Sequence, residues 1–193
     1  MTKRAFGFRD AEGSPRGLQR VLLASGNSTI FGIGDAVVLA GDAGAIGRGG
    51  FYPTANRGAA TGALFGFIVS IDQASATTPN FNQKHRPAST AMYADVMPFE
   101  ANHTYCIRAD ASATLSSSNV GNNFLLATIT DADTTLGQSK MEISSTSAAT
   151  SQTGYQMTLV GIEDDGVNVI GASTPVCLVR INAIQAFPGF AGV

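Results

Sequence analysis

Apolar positions along the chain recur with a period of two, in short runs cut by turn-forming residues. The cleanest run lies near the end. Cys177, Val179, Ile181 and Ala183 share one side, Arg180 and Asn182 take the other, and Leu178 is the one apolar residue on that second side. Successive strand side chains point to opposite faces, so this pattern predicts a strand with one buried and one wet face. Tyr105, Ile107 and Ala109 alternate in the same way with Cys106, Arg108 and Asp110. So do Met141 and Ile143 with Lys140, Glu142 and Ser144, and Tyr155, Met157 and Leu159 with Gln156 and Thr158. Other runs are apolar throughout and end at turn residues. Val21-Leu22-Leu23-Ala24 stops at Ser25-Gly26-Asn27, Ala36-Val37-Val38-Leu39 at Gly41-Asp42, and Phe124 to Thr130 at Asp131-Ala132-Asp133. Met92 to Met97 runs into Pro98, and Leu64 to Ile71 contains Gly66, which predicts a bulge or a close backbone approach. Glu163-Asp164-Asp165-Gly166 has the chemistry of a hairpin turn.

No stretch has the period of an amphipathic helix of several turns. The predicted fold is therefore all-β: an antiparallel β-sandwich or barrel, jelly-roll-like, with an extended N-terminal arm. Residues 1–20 read as that arm and residues 21–193 as a single β domain. The arm mixes Gly7, Gly13, Pro15 and Gly17 with Arg4, Arg9, Arg16 and Arg20 and has no sustained periodicity. Phe6 and Phe8 fall on one side of an extended segment, the pattern of anchors that bury in the parent domain or in a partner. Two polar stretches, Asp42 to Gly62 and Ala111 to Asn123, read as long loops, which are generally functional or ordered by a partner.

Composition sharpens this picture. Charged residues make up 13% of the chain, about half the usual level, with Gly, Ala, Ser, Thr and Asn in their place. Up to Thr90 there are nine Lys/Arg against five Asp/Glu, and from Ala91 onward three against nine. That asymmetry suits docking to acidic protein surfaces or head-to-tail neighbours. It lacks the clustered basic stripe of a nucleic-acid binder, so no direct nucleic-acid partner is expected. No apolar stretch follows the basic residues of the N-terminus, and no run approaches a membrane span, so neither export nor a membrane partner is expected.

The candidate chemical motifs each lack a necessary group. Gly44-Ala45-Ile46-Gly47-Arg48-Gly49-Gly50 has no Gly-Lys-Ser/Thr to hold a phosphate. Asp131-Ala132-Asp133 with Gly137 resembles half a calcium loop, but Ile143 stands where the later acidic ligand is due, and Asx-turn capping explains the aspartates better. The Glu163 cluster is read as a solvated hairpin tip, and His85, in Lys84-His85-Arg86-Pro87, as part of a basic surface loop. Cys106 and Cys177 read as buried thiols, with a disulfide left open. No Gly-x-Ser-x-Gly or Ser-x-x-Lys pattern is present. A non-enzyme with no metal and no cofactor is the expectation.

An ordered series of segments also carries a family resemblance. It begins with Ala24-Ser25-Gly26-Asn27-Ser28-Thr29 and Gly34-Asp35-Ala36-Val37-Val38-Leu39, then Gly62-Ala63-Leu64-Phe65-Gly66. Met92-Tyr93-Ala94-Asp95-Val96-Met97-Pro98 and Tyr105-Cys106-Ile107-Arg108-Ala109-Asp110 follow as a central strand pair. Gly121-Asn122, Gly137-Gln138-Ser139-Lys140-Met141-Glu142 and Val179-Arg180-Ile181-Asn182 complete the series. From about Val21 to Ile184 the chain resembles the tailed-phage virion proteins that decorate, or cement, the capsid. Met97-Pro98-Phe99-Glu100 stands where that family has an Asp-Pro turn.

The resemblance implies a homo-oligomer, a trimer rather than a dimer; synthesis in the host cytoplasm is the default expectation where no export signal is read. The oligomer would sit on the outer surface of the assembled shell and clamp neighbouring major capsid protein subunits. Combined with the arm, it makes Arg4, Phe6, Phe8, Arg9, Arg16 and Arg20 the expected capsid-binding residues. The aromatics would be buried anchors and the arginines would pair with acidic shell residues. The alternative expectation is a carbohydrate- or receptor-binding module of a phage fibre, and a metal site on Asp131, Asp133 or Glu163 is the third.

Overall fold

The computed structural model describes residues 6–11, 17–46, 50–72, 84–163 and 171–185. Among them the architecture is all-β, and its regular helix is a single 3₁₀ turn at Ser117–Asn119. Five strands close a barrel: β2 (Gln19–Leu23), β3 (Ala36–Gly44), β4 (Tyr52–Arg57), β5 (Gly66–Ile71) and β6 (Met92–Pro98), in the order β2-β4-β3-β5-β6. Every pair in it is antiparallel except β2–β4, which runs parallel with Leu22 opposite Thr54.

A second, five-stranded antiparallel sheet orders β1 (Arg9–Asp10), β7 (Tyr105–Arg108), β12 (Val176–Ile181), β11 (Met157–Ile162) and β8 (Asn123–Phe124) as β1-β7-β12-β11-β8. A two-stranded ribbon, β9 (Leu126–Ala127) with β10 (Glu142–Ile143), completes the strands.

Two cores explain why some runs alternate and others do not. Val21, Leu23, Val37, Leu39, Ile68, Ala94 and Val96 fill the barrel. Tyr105, Ile107, Met157, Leu159, Cys177, Val179 and Ile181 belong to a larger core on one face of the second sheet. Ala36 and Phe67 join that larger core while their neighbours Val37 and Ile68 point into the barrel. The walls β3 and β5 are thus apolar on both faces, which requires continuous apolar runs. Strands β12 and β11 face a core on one side and keep the alternation.

Gly66 is required by a close approach: a Cβ there would lie 2.3 Å from the Met97 carbonyl oxygen on β6. At Gly41-Asp42 the expected end of a run is instead an irregularity inside β3. Gly41 takes φ +86°, and the register against β4 shifts between Leu39 and Ala43. The stretch Asp42 to Gly62, expected as one long loop, contains β4. Within Ala111 to Asn123 the 3₁₀ turn sits beside a fully buried Leu115.

The basic loop expected at Lys84-His85-Arg86-Pro87 is corrected by Arg86, whose side chain is wholly inside. Its Nε donates to the Thr90 carbonyl at 2.6 Å. Nη1 donates to those of Asn27 and Thr29 at 2.7 and 2.5 Å, and Nη2 donates to that of Ala24. A buried guanidinium is tolerated only when its donors are satisfied, and here backbone oxygens of two loops do so.

Asp35 is also fully buried, accepting from Gly32 N at 2.8 Å and from the Ser139 hydroxyl at 2.5 Å. It ties the turn before β3 to the segment leading into β10.

Cys106 and Cys177 are both buried free thiols on adjacent strands. Cys177 lies opposite Ile107 and Cys106 opposite Leu178, which puts the two thiols on opposite faces of the sheet. Burial raises the pKa of both, that of Cys177 to about 12.

Candidate docking surface

The N-terminal residues are part of the domain wherever they are described. Phe8 is 2% exposed, with ring centres 5.0 Å from Phe99 and 6.4 Å from Phe67, and its amide donates to the Gly34 carbonyl at 2.9 Å. Its place in this chain's own core leaves it nothing to offer a partner, which corrects its expected role as a docking anchor. Next to it, Arg9 and Asp10 form β1 on the edge of β7, and the Asp10 carboxylate contacts His103 Nε2. Arg9 reaches Glu163 Oε2 at 2.5 Å.

Phe6 is half-buried, with the guanidinium carbons of Arg9 and Arg108 at 4.7 and 5.4 Å from its ring centre. Phe6, Phe8 and Arg9 therefore come together, beside Ile33 and Gln138, around an open cavity of about 370 Å³. Arg4 and Arg16 lie outside the described residues.

Arg20 stands in a separate constellation, because it is a strand residue and the boundary drawn after it falls inside β2. On β2, Val21 and Leu23 point into the barrel, so Arg20 points out. It bonds the Asp72 carboxylate and lies 3.7 Å from Asp95 Oδ1. Its guanidinium carbon is 5.0 Å from the Tyr93 ring centre and 6.0 Å from that of Tyr52. The two tyrosine rings meet edge to face at 5.1 Å. Tyr93 Oη accepts from the amide of Ile46 at 2.7 Å, which holds Ile46 against this face.

Two exposed apolar side chains missed in the sequence stand next to it along the chain, Leu18 two residues before Arg20 and Phe51 directly before Tyr52. Phe51 is 81% exposed and Leu18 51%. They immediately precede β4 and β2, so the parallel pairing of those strands brings them to the same end of the barrel. The available sign of Phe51 was its place beside Gly49-Gly50, an aromatic where a solvated loop needs none.

Magnitudes decide which groups could drive docking. Burying an exposed Phe or Leu side chain contributes about 1.5–3 kcal/mol, whereas an exposed ion pair is worth about 0–1 kcal/mol. Arg9 and Arg20 moreover already have carboxylate partners, so a new acid would only exchange with an old one. The apolar rim therefore outweighs the arginines.

The remaining candidates have structural roles. Asp133 Oδ1 accepts from the amides of Thr135 and Leu136, the expected Asx turn. Asp131 accepts from Ile30 N at 3.0 Å and Arg57 at 3.1 Å, bonds that hold its pKa below the ordinary value. Among the described residues no three His, Cys, Asp or Glu side chains are grouped to hold a metal ion. No helix among them is long and apolar enough to cross a membrane. Comparison with protein-family models, with curated proteins and with solved structures finds no match.

Proposed function

We propose that this protein is a structural component of a tailed-phage virion, binding the outer surface of the assembled capsid and cementing neighbouring major capsid subunits. The resemblance of its ordered strand and turn segments supports the family. The observation that carries a docking role is the exposure of Phe51 and Leu18 at one end of the barrel, beside the Arg20–Tyr52–Tyr93 face. A homo-oligomer, a trimer rather than a dimer, would present this rim several times. Repeated weak contacts then add as avidity across adjoining subunits. Synthesis in the host cytoplasm would deliver it to shells already assembled.

Removing the residues up to Arg20 does not test this reading, because that deletion takes Phe8 from the core and two residues from β2. The better perturbation is Leu18→Asp with Phe51→Asp, both at solvated positions. Co-sedimentation with empty major-capsid shells should show binding weakened by at least about 100-fold, the equivalent of two lost apolar side chains. Arg9→Ala should bind within a few-fold of the parent. Undiminished binding by the double variant would sink the proposal.

A further inference from the structure

At the end of the barrel's neighbouring sheet, away from the residues invoked for docking, three loops line an open cavity of about 280 Å³. One loop carries Gly62 and Ala63 ahead of β5, the second Gln152 to Tyr155 ahead of β11, and the third Asn182 and Ala183 after β12. Gln156, a fully buried amide next in the chain to Tyr155, bonds the other two. Its Nε2 donates to the Ala59 and Gly62 carbonyls at 3.0 and 3.1 Å, and its Oε1 accepts from Leu126 N at 3.1 Å. Its own carbonyl accepts from Asn182 N at 2.8 Å, and Leu64 N donates to the Ala183 carbonyl at 2.9 Å. The cavity is thus held open by bonds beneath it and needs little reordering to accept a ligand.

The lining is specific in its chemistry. It contains no charged side chain. Gln152 and Asn182 carry amides, Thr153 and Tyr155 carry hydroxyls, and Tyr155 is the one aromatic residue of the lining. Asn182 is oriented by its neighbours: its Nδ2 donates to Asn123 Oδ1 at 2.9 Å, and its Oδ1 accepts from the Thr158 hydroxyl at 2.8 Å. Paired donors and acceptors without charge, set against one ring face, match a ligand that has several neutral hydroxyls and one apolar side. The volume admits one sugar-sized ring.

We propose that this cavity is a binding site for a single neutral saccharide ring, with Tyr155 packing against its apolar face and the Gln152 and Asn182 amides bonding its hydroxyls. This site is independent of the docking rim, so it can fail while shell binding stands, and the reverse.

Amide-resolved NMR titration of the full chain tests it, using glucose, galactose, mannose and N-acetylglucosamine, with sialic acid as the charged control. At least one neutral sugar should shift Gly154, Tyr155 and Asn182 saturably, with a dissociation constant on the order of a millimolar. Sialic acid should not. Gln152→Ala and Tyr155→Ala should each weaken binding about tenfold or more and leave amides distant from the loops unmoved, which reports that the fold is intact. The proposal is overturned if no sugar in the panel shifts these residues saturably, if the variants bind as the parent does, or if only sialic acid binds.

Discussion

Replacing Asp35 with Asn tests the buried junction between the turn before β3 and Ser139. Burial is the largest influence on this carboxyl and raises its pKa from 3.8 to about 6; Asp131 adds to the rise. The hydrogen bonds from Ser139 and Gly32 and the charge of Arg57 oppose it without cancelling it. Between these two values the folded protein holds a proton that the unfolded chain has released. Where the native state binds more protons, stability falls as pH rises. The contribution is therefore fully present below the unfolded value and lost as pH climbs through the folded one.

At about 1.4 kcal/mol per pKa unit, the interval from 3.8 to about 6 corresponds to about 3 kcal/mol. Urea unfolding of the parent and of Asp35→Asn across about pH 4 to pH 7 measures it, since subtracting the two curves cancels the distant carboxylates they share. The parent's stability relative to the variant should fall by about 2–3 kcal/mol over that range, mostly below pH 6. A flat difference would mean that the carboxyl is not desolvated as its burial requires. A difference rising with pH would mean that the ionised form is the one the fold prefers.

Arg86→Met should cost about 3–5 kcal/mol in urea unfolding, because it leaves the Ala24, Asn27, Thr29 and Thr90 carbonyls without their buried donor. Arg86→Lys should recover only part of that, since an ammonium has three donors and no fork. Phe8→Ala should destabilise the isolated protein by about 3–5 kcal/mol; an unchanged denaturation midpoint would mean that Phe8 is not a core residue. Iodoacetamide at neutral pH should leave Cys106 and Cys177 unmodified in the folded protein and alkylate both in urea, read by mass. The thiolate is the nucleophile and burial raises both thiol pKa values.

Strands with one wet face were legible in the sequence. Cys177, Val179 and Ile181, and equally Met141 and Ile143, occupy the larger core as their alternation requires. Strand β4 was not legible, since Tyr52-Pro53-Thr54-Ala55-Asn56-Arg57 places only Ala55 in the barrel core and is held by backbone pairing on both sides. A strand that contributes hydrogen bonds rather than apolar surface has no hydrophobic period to read. Arg86 was hidden for a related reason: its partners are the carbonyls of Ala24, Asn27, Thr29 and Thr90, and no side-chain pattern announces a backbone acceptor. Of the expected docking residues, Phe6 and Phe8 stood out as aromatics, but Gly7 between them takes φ +67°, so the segment is not extended and a period of two does not fix their sides. Which aromatic turns inward depended on Phe67 and Phe99, brought beside Phe8 only by the fold.

The double-faced walls β3 and β5 have a mechanical consequence. A force applied to the outer face of the barrel cannot be absorbed by the barrel alone, because Ala36 and Phe67 are seated in the core of the neighbouring sheet. Load on one half passes through these walls into the other and is shared between the barrel's strand pairs and those of the second sheet. Neither half has a separate yield point, and cutting the chain between them would expose an apolar surface on each fragment. The molecule therefore resists strain as one body.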